Sequence, residues 1–326
     1  MHDLSRAELL SLDAAVREHL NRPPVVATSI HPSGAAEALA STTAAPPLQG
    51  IAAIEAAFAA APQCPHCQSK DIGRWGKANG LRRYRCKTCK VSFNALTGTP
   101  LAQLHKRELW SGHAQALVDG ISLRKVAARL DVHLTTAFRW RHRFLKAPKT
   151  LKAKKVQGTV EADETFFRRS AKGSRHLVRQ PRKRGGDGAK RGLSVDQVPV
   201  LIVRDRTQAT TDAILPDRSA AAIGAVLEPI IDRRAVLVTD ADPAFCLFAN
   251  TLEIAHVTLV VSKKERTWEG YHIQHVNAYC GELKGWIRRF KGVATKYLDS
   301  YLGWHRMNDR DGDTQCASGV LAAAWG

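Results

Sequence analysis

The chain has 326 residues, with 49 Lys and Arg against 30 Asp and Glu, a formal net charge of +19. That length can bury a sizeable core and still leave room for small modules. The cationic excess points to a polyanion, because phosphate neutralisation is the main term in non-specific nucleic-acid affinity. No apolar run approaches the roughly 18 residues a bilayer span needs, so an anionic membrane is the weaker reading of that charge.

The opening MHDLSRAELL lacks the basic-then-apolar pattern of an export signal. Seven cysteines, four of them in two close pairs, suit a reduced compartment and a metal site better than a disulfide framework. A cytoplasmic, nucleoid-associated location is expected. Residues 4–20 predict a short amphipathic helix through Leu10, Leu12, Val16 and Leu20. Residues 21–50, rich in Ala, Pro, Ser and Thr, read as a linker. A helix-like IAAIEAAFAA then leads into the cysteines, so residues 1–60 form an opening region of little chemical content.

Cys64, Cys67, Cys86 and Cys89 follow the pattern C-x2-C-x18-C-x2-C. Paired thiolates on two tight turns suit tetrahedral zinc, and the intervening stretch is long enough for a hairpin that joins the pairs. Lys77, Arg82, Arg83, Arg85, Lys87 and Lys90 are interleaved with Trp75, Tyr84 and Phe93, which makes residues 61–97 a candidate nucleic-acid-binding zinc ribbon. A metal-stapled protein-docking module is the plainer alternative.

Residues 104–146 predict helix throughout, within a module spanning 101–147. In GISLRKVAARLDVHLTTAFRWRHRFLKA, Leu123, Val126, Ala127 and Leu130 share a face, a break falls at 131–134, and Thr135 is a candidate cap for the next helix. This is the pattern of a helix-turn-helix, whose second helix enters the major groove. Arg139, Arg141 and Arg143 are the DNA contacts expected from it. A second basic cluster, RQPRKRGGDGAKRG, reads as a glycine-rich loop whose Arg182, Lys183 and Arg184 would contact phosphates rather than bases.

From residue 156 the pattern changes to strands: GTVEADETFF, VPVLIVRD, TTDAIL, AVLVTD and VTLVVS, with an alanine-rich helix at 220–230 before AVLVTD. This succession implies an α/β sheet, with Asp163 inside one strand and Asp240 at the end of another, where open sheets commonly place ligands. Asp242 is a local rival to Asp240. Downstream, HIQHVNAYCGELKGW reads as a helix on which Asn277 and Lys284, seven apart, share a face that Arg288 extends. Two carboxylates and an amide oxygen can hold hard divalent cations for phosphoryl transfer, and a lysine can bind phosphate as a point charge. A solvated strand-edge aspartate and a surface lysine are the plainer readings of the same residues.

The ordered set of cysteine pairs, helix-turn-helix, VEADETFF, VLVTD and HIQHVNAYCGELKGWIRRFKGVATKYLDSYLGWHRM resembles the insertion-sequence transposases of the IS1595-like, or ISXO2-like, group over residues 60–308. The resemblance implies a ribonuclease-H-like catalytic domain at 156–308, preceded by the zinc ribbon and the helix-turn-helix, with a weakly structured tail at 309–326. It also implies a metal site of Asp163, Asp240 and Asn277, the last in a position usually filled by an acid, with Lys284 as a DNA contact. Glu282, two residues before Lys284, turns away from that face. His272 and His275 could orient the DNA or the metal-site side chains. The expectation is therefore a transposase using Mg2+ or Mn2+, with structural Zn2+, acting on terminal inverted repeats and target DNA as a homo-oligomer. An inactive DNA-binding descendant and a stand-alone nuclease are the alternatives.

Overall fold

The computed structural model describes residues 50–177, 180, 194, 196–260, 263 and 265–325. The helix expected at 4–20 and the linker up to residue 49 lie outside the described residues, as do Arg182, Lys183 and Arg184.

Helix α1 (Gly50–Ala60) precedes a three-stranded antiparallel sheet of β1 (Ile72–Ala78), β2 (Leu81–Cys86) and β3 (Ser92–Asn94). Asn79 and Gly80, both at positive φ, close the two-residue turn between Ala78 and Leu81, the backbone that Asn-Gly favours in hairpins. This small sheet has little apolar surface of its own. Tyr84 and Phe93 pack on Phe58 of α1, with ring centroids 5.2 and 6.2 Å from the Phe58 ring.

Three helices follow: α2 (Trp110–Val118), α3 (Leu123–Arg129) and α4 (Leu134–Phe144), with a short α5 (Lys146–Thr150). The helical stretch expected over 104–146 is thus interrupted twice, the second time at the expected break over 131–134, where Asp131 has a φ of 47°. Trp110, Leu117, Val126, Ala137, Trp140 and Phe144 are buried together. The cap of α4 is His133 rather than Thr135: the His133 ring accepts from the Thr135 backbone N–H at 3.3 Å.

The larger sheet contains β4 (Thr159–Arg168), β5 (Gln197–Asp205), β6 (Thr210–Ile214), β7 (Val236–Asp240) and β8 (Ala255–Leu259) in the order β6-β5-β4-β7-β8. The first three are antiparallel, whereas β4, β7 and β8 run parallel. This is the ribonuclease-H-like arrangement. Parallel pairing requires crossovers; α6 (Ala220–Leu227) precedes β7, and α7 (Pro243–Leu252) joins β7 to β8.

Side-chain alternation divides this sheet into two faces. Val160, Ala162, Leu201, Val203 and Leu237 are buried with α6 and α7. Val198, Val200, Ile202 and Val238 face the other way, towards α8 (Gln274–Arg288) and α9 (Leu298–Asp311). Glu161, Asp163 and Thr165 alternate with Val160 and Ala162, so they belong to the α8 side.

Helix α9 also secures the helical module. A Cβ on Gly303 would come within 2.6 Å of the Lys149 backbone, so the close approach of α9 to α5 requires glycine there. Arg306, buried, donates to the Leu151 and Pro148 carbonyls and pairs with Asp212 on β6. The tail expected at 309–326 to be weakly structured is instead largely helical: α9 runs to Asp311, and α10 (Ala317–Trp325) buries Val320, Leu321 and Ala324. Small side chains let it pack closely on α2 and α4, and the Trp325 indole donates to the Ala95 carbonyl at 2.8 Å.

Candidate active site and metal clusters

Parallel pairing of Glu161 with Val238 fixes the relation between the two aspartates. Two residues further along each strand stand Asp163 and Asp240, side by side on the α8 face and half-buried. Asp163 Oδ1 accepts the Glu164 N–H at 2.8 Å. Burial, with the Asp240 charge adding to it, raises the Asp163 carboxyl to about 6, while Lys284 acts in the opposite sense. Asp240 is raised as well, by burial; the Asp242 backbone N–H opposes this, the Asp242 charge adds to it, and Arg218 opposes it. The pair is thus an under-compensated concentration of negative charge.

The neighbouring acids have other duties. Asp242 caps α7, accepting the Ala244 N–H at 2.8 Å, and its other oxygen pairs with Arg218. Arg218 also binds Glu164, bridging two acids at the edge of the crevice. Asp240 is therefore the freer of the two acids that compete in the sequence.

Helix α8 crosses this edge. Cys280 lies three residues after Asn277 and four before Lys284, hence on the same strip of the helix. Burial pushes its thiol up to about 12, with Asp163 adding and Lys284 opposing. The strip thus passes Asp163 with Cys280 against the sheet and with Asn277, Lys284 and Arg288 exposed beside it. Glu282 is exposed, with buried Leu283 separating it in sequence from Lys284.

Below this level lies a cluster that spacing alone does not reveal. Glu161, only 1% exposed, accepts the Val276 N–H of the first turn of α8 at 3.0 Å and lies 2.8 Å from His275 Nδ1. Ligand atoms of Glu161, His272 and His275 all lie within 4.8 Å of one another. The one available sequence signal is that Glu161 shares the strand alternation of Asp163.

The second candidate metal cluster is Cys64, Cys67, Cys86 and Cys89. Sulfur atoms of Cys64 and Cys89 are 3.6 Å apart, and those of Cys67 and Cys86 3.5 Å, close to the edge of a tetrahedron with metal–sulfur bonds of about 2.3 Å. The Cys89 N–H and then the Cys67 thiol hold the Cys86 thiol down at about 6, favouring thiolate.

In the helical module, the three arginines of α4 have different fates. Arg141 is 1% exposed, donates to the Ile121 carbonyl at 2.6 Å and lies 4.9 Å over the Trp304 ring. It braces the interior and cannot reach a DNA groove. Arg143 is half-buried and donates to the Pro100 and Ala102 carbonyls, so its guanidinium is already engaged. Arg139 is exposed. Helical phase separates Arg139 from Arg141, which the basic composition of the segment does not.

Residues 155–304 match the ISXO2-like transposase domain, and residues 108–148 match a homeodomain-like helix-turn-helix. An uncharacterized protein in transposable element ISH50 of Halobacterium salinarum is 25% identical over 244 residues, covering 73% of this chain and 82% of the relative. Among solved structures, a pre-cleavage Mos1 transpososome aligns at 12% identity and a TM-score of 0.20, over 66% of this chain and 79% of the other. The Mos1 strand transfer complex aligns at 14% and 0.22, over 66% and 78%. Among the described residues, no helix is long and apolar enough to cross a membrane. Residues 155–304 therefore carry a domain similar to the ISXO2-like transposase domain.

Proposed function

We propose that this protein is a DNA transposase that binds the ends of an insertion sequence and carries out metal-dependent strand cleavage and transfer, with Asp163, Asp240 and Asn277 as its metal-site residues. The observation that carries this reading is the pair of half-buried aspartates, adjacent on parallel strands within an ISXO2-like domain. Their raised proton affinities indicate charge that a divalent cation would satisfy. An oxygen-only donor set suits Mg2+ or Mn2+.

Bound there, such ions would polarise the attacking oxygen and the phosphate, as in metal-assisted phosphoryl transfer. The chain's own contribution is orientation. Asp163 is held by the Glu164 N–H, and Arg218 keeps Glu164 and Asp242 occupied so that they do not compete. Lys284 and Arg288, exposed on the same helix, offer cations to the phosphates flanking the scissile bond.

Zinc in the four-cysteine cluster would hold the ribbon at 61–97, and the helical module at 101–147, with Arg139 exposed, would position the DNA end. The opening region at 1–60 and the catalytic domain at 156–308 belong to the same reading. Arg182, Lys183 and Arg184 would add backbone contacts. Because two ends must meet, the working form would be a homo-oligomer assembled on double-stranded DNA in the cytoplasm, associated with the nucleoid.

The test is purified protein with candidate element ends and a target plasmid, scored separately for binding, 3′-end nicking and joining. Wild-type protein should nick and join with Mg2+ or Mn2+, while Asp163→Ala and Asp240→Ala should bind but not cleave. Retained metal-dependent cleavage in both variants would refute the site.

A further inference from the structure

We propose that Glu161, His272 and His275 form an additional metal site for one borderline transition-metal ion of the Co2+ or Zn2+ class, which clips the first turn of α8 to β4, with Arg206 as its resident substitute. The proposal rests on geometry and not on the transposase reading. Ligand atoms of the three residues lie within 4.8 Å of one another, a spread that one ion with metal–nitrogen and metal–oxygen bonds of about 2.1 Å can draw in. Two imidazoles and one carboxylate form a donor set for borderline metals, whereas Mg2+ favours oxygen alone.

A cation centre already exists at this point. Arg206 Nη1 lies 2.9 Å from His272 Nε2, 2.9 Å from His275 Nδ1 and 3.4 Å from Glu161 Oε1. Buried Glu161 needs positive charge nearby, and Arg206 supplies it from the turn after β5, with its side chain about a third exposed. The substitution is imperfect. His275 Nδ1 faces the carboxylate, which requires it to donate, and the guanidinium, which requires it to accept. A neutral imidazole cannot satisfy both. A metal ion in place of Nη1 removes the conflict, since the histidine lone pair and the carboxylate oxygen then point to one centre.

Orientation of the ligands is also built in. The second oxygen of Glu161 accepts the Val276 N–H at 3.0 Å, which fixes the carboxylate plane in the way that outer hydrogen bonds orient metal ligands. Glu161 lies two residues before Asp163 on one face of β4, a rise of about 6–7 Å. His275 lies two residues before Asn277. An ion here fastens strand to helix one step below Asp163 and Asn277, setting their separation without touching the reacting phosphate.

The experiment uses the full chain, zinc-replete so that the cysteines are filled, with Asp163→Asn and Asp240→Asn removing the carboxylate pair. Equilibrium dialysis against Co2+ should find one ion bound with a ligand-field spectrum free of sulfur-to-cobalt charge transfer. His275→Gln or His272→Gln should weaken binding at least roughly tenfold. Arg206→Met should tighten it, because the competing cation is gone, and a misfolded variant cannot give that result. Unchanged Co2+ affinity in Arg206→Met, or unchanged Co2+ affinity in both histidine variants, would overturn the site. Because the readout is metal bound in a background lacking both aspartates, its failure is distinct from failure of DNA cleavage.

Discussion

Asp163 on β4 and Asp240 on β7 occupy neighbouring positions on parallel strands, two residues beyond the Glu161–Val238 pairing. Their carboxylates are therefore brought together by the sheet itself and do not depend on a mobile loop. Burial raises both groups, the Asp240 charge adds to the rise at Asp163, and the electrostatic cost is carried by the metal-free protein.

That cost has a definite pH dependence. The Asp163 carboxyl rises from 3.8 to about 6 on folding, so the folded state binds its proton more tightly than the unfolded chain does. Its contribution to stability is complete below pH 3.8 and is lost as pH rises through about 6. Asp163→Asn should therefore leave the metal-free protein more stable than wild type at pH 7.5, by about 2–4 °C in Tm for each kcal/mol relieved, with little difference at pH 4. Mg2+ should stabilise wild type more at pH 7.5 than at pH 5, and the variant little at either. Thermal melts at these pH values with and without Mg2+ measure the effect; parallel behaviour of the two proteins would remove Asp163 as the source.

Asn277 makes a separate prediction, because it brings oxygen without charge. Asn277→Asp adds a negative charge to a crevice that already holds two, at nearly constant size. Mn2+ affinity should rise several-fold and metal-free stability at pH 7.5 should fall, whereas Asn277→Ala should lower Mn2+ affinity. Mn2+ titration followed by electron paramagnetic resonance reads both variants. If neither differs from wild type, Asn277 does not touch the metal.

The sheet was legible because its strands are short apolar runs separated by turns, and Asp240 because such a run ends on it. The helix-turn-helix was legible through Leu123, Val126 and Ala127, but its surface was not. Arg139 and Arg141 differ by two positions, so one is exposed and the other faces Trp304, a partner 163 residues away that helical periodicity does not contain. The helix at Ala317–Trp325 was missed because its small side chains give a weak amphipathic pattern until α2 supplies the surface that they cover. Glu161 was passed over for a similar reason: its importance comes from Val276 and His275, brought to it only by the packing of α8 on β4.

The difference between those arginines can be measured. Arg139→Ala should weaken DNA binding and reduce the salt-dependence slope by about one, with Tm nearly unchanged. Arg141→Ala should instead cost ~2–3 kcal/mol of stability, through a carbonyl left without its donor and packing lost against Trp304. Fluorescence anisotropy on an element end over a salt series, beside thermal melts, separates the two. A stability loss at Arg139 as large as that at Arg141 would contradict the assignment.

His113 shows how the same helical core responds to acid. Its ring lies 5.5 Å from Trp140 and 4.9 Å from Phe144, is fully buried, and has neither nitrogen hydrogen-bonded. Burial, with Arg141 adding, lowers its pKa from 6.5 to about 3; His142 and His305 are lowered in the same direction, to about 4. A histidine depressed on folding contributes stability above its unfolded value, and that contribution is lost as pH falls from 6.5 towards the folded value. At pH 5 the loss at His113 is about 2 kcal/mol, because the unfolded chain has gained a proton that the folded core refuses. His113→Leu fills the same space without a titrating ring and removes two unsatisfied nitrogens, so it should match or exceed wild type at pH 7.5. Its advantage should widen steadily between pH 6.5 and 5 in urea or thermal melts. Curves of stability against pH that stay parallel would show that the His113 ring gains its proton within the folded core as readily as in the unfolded chain.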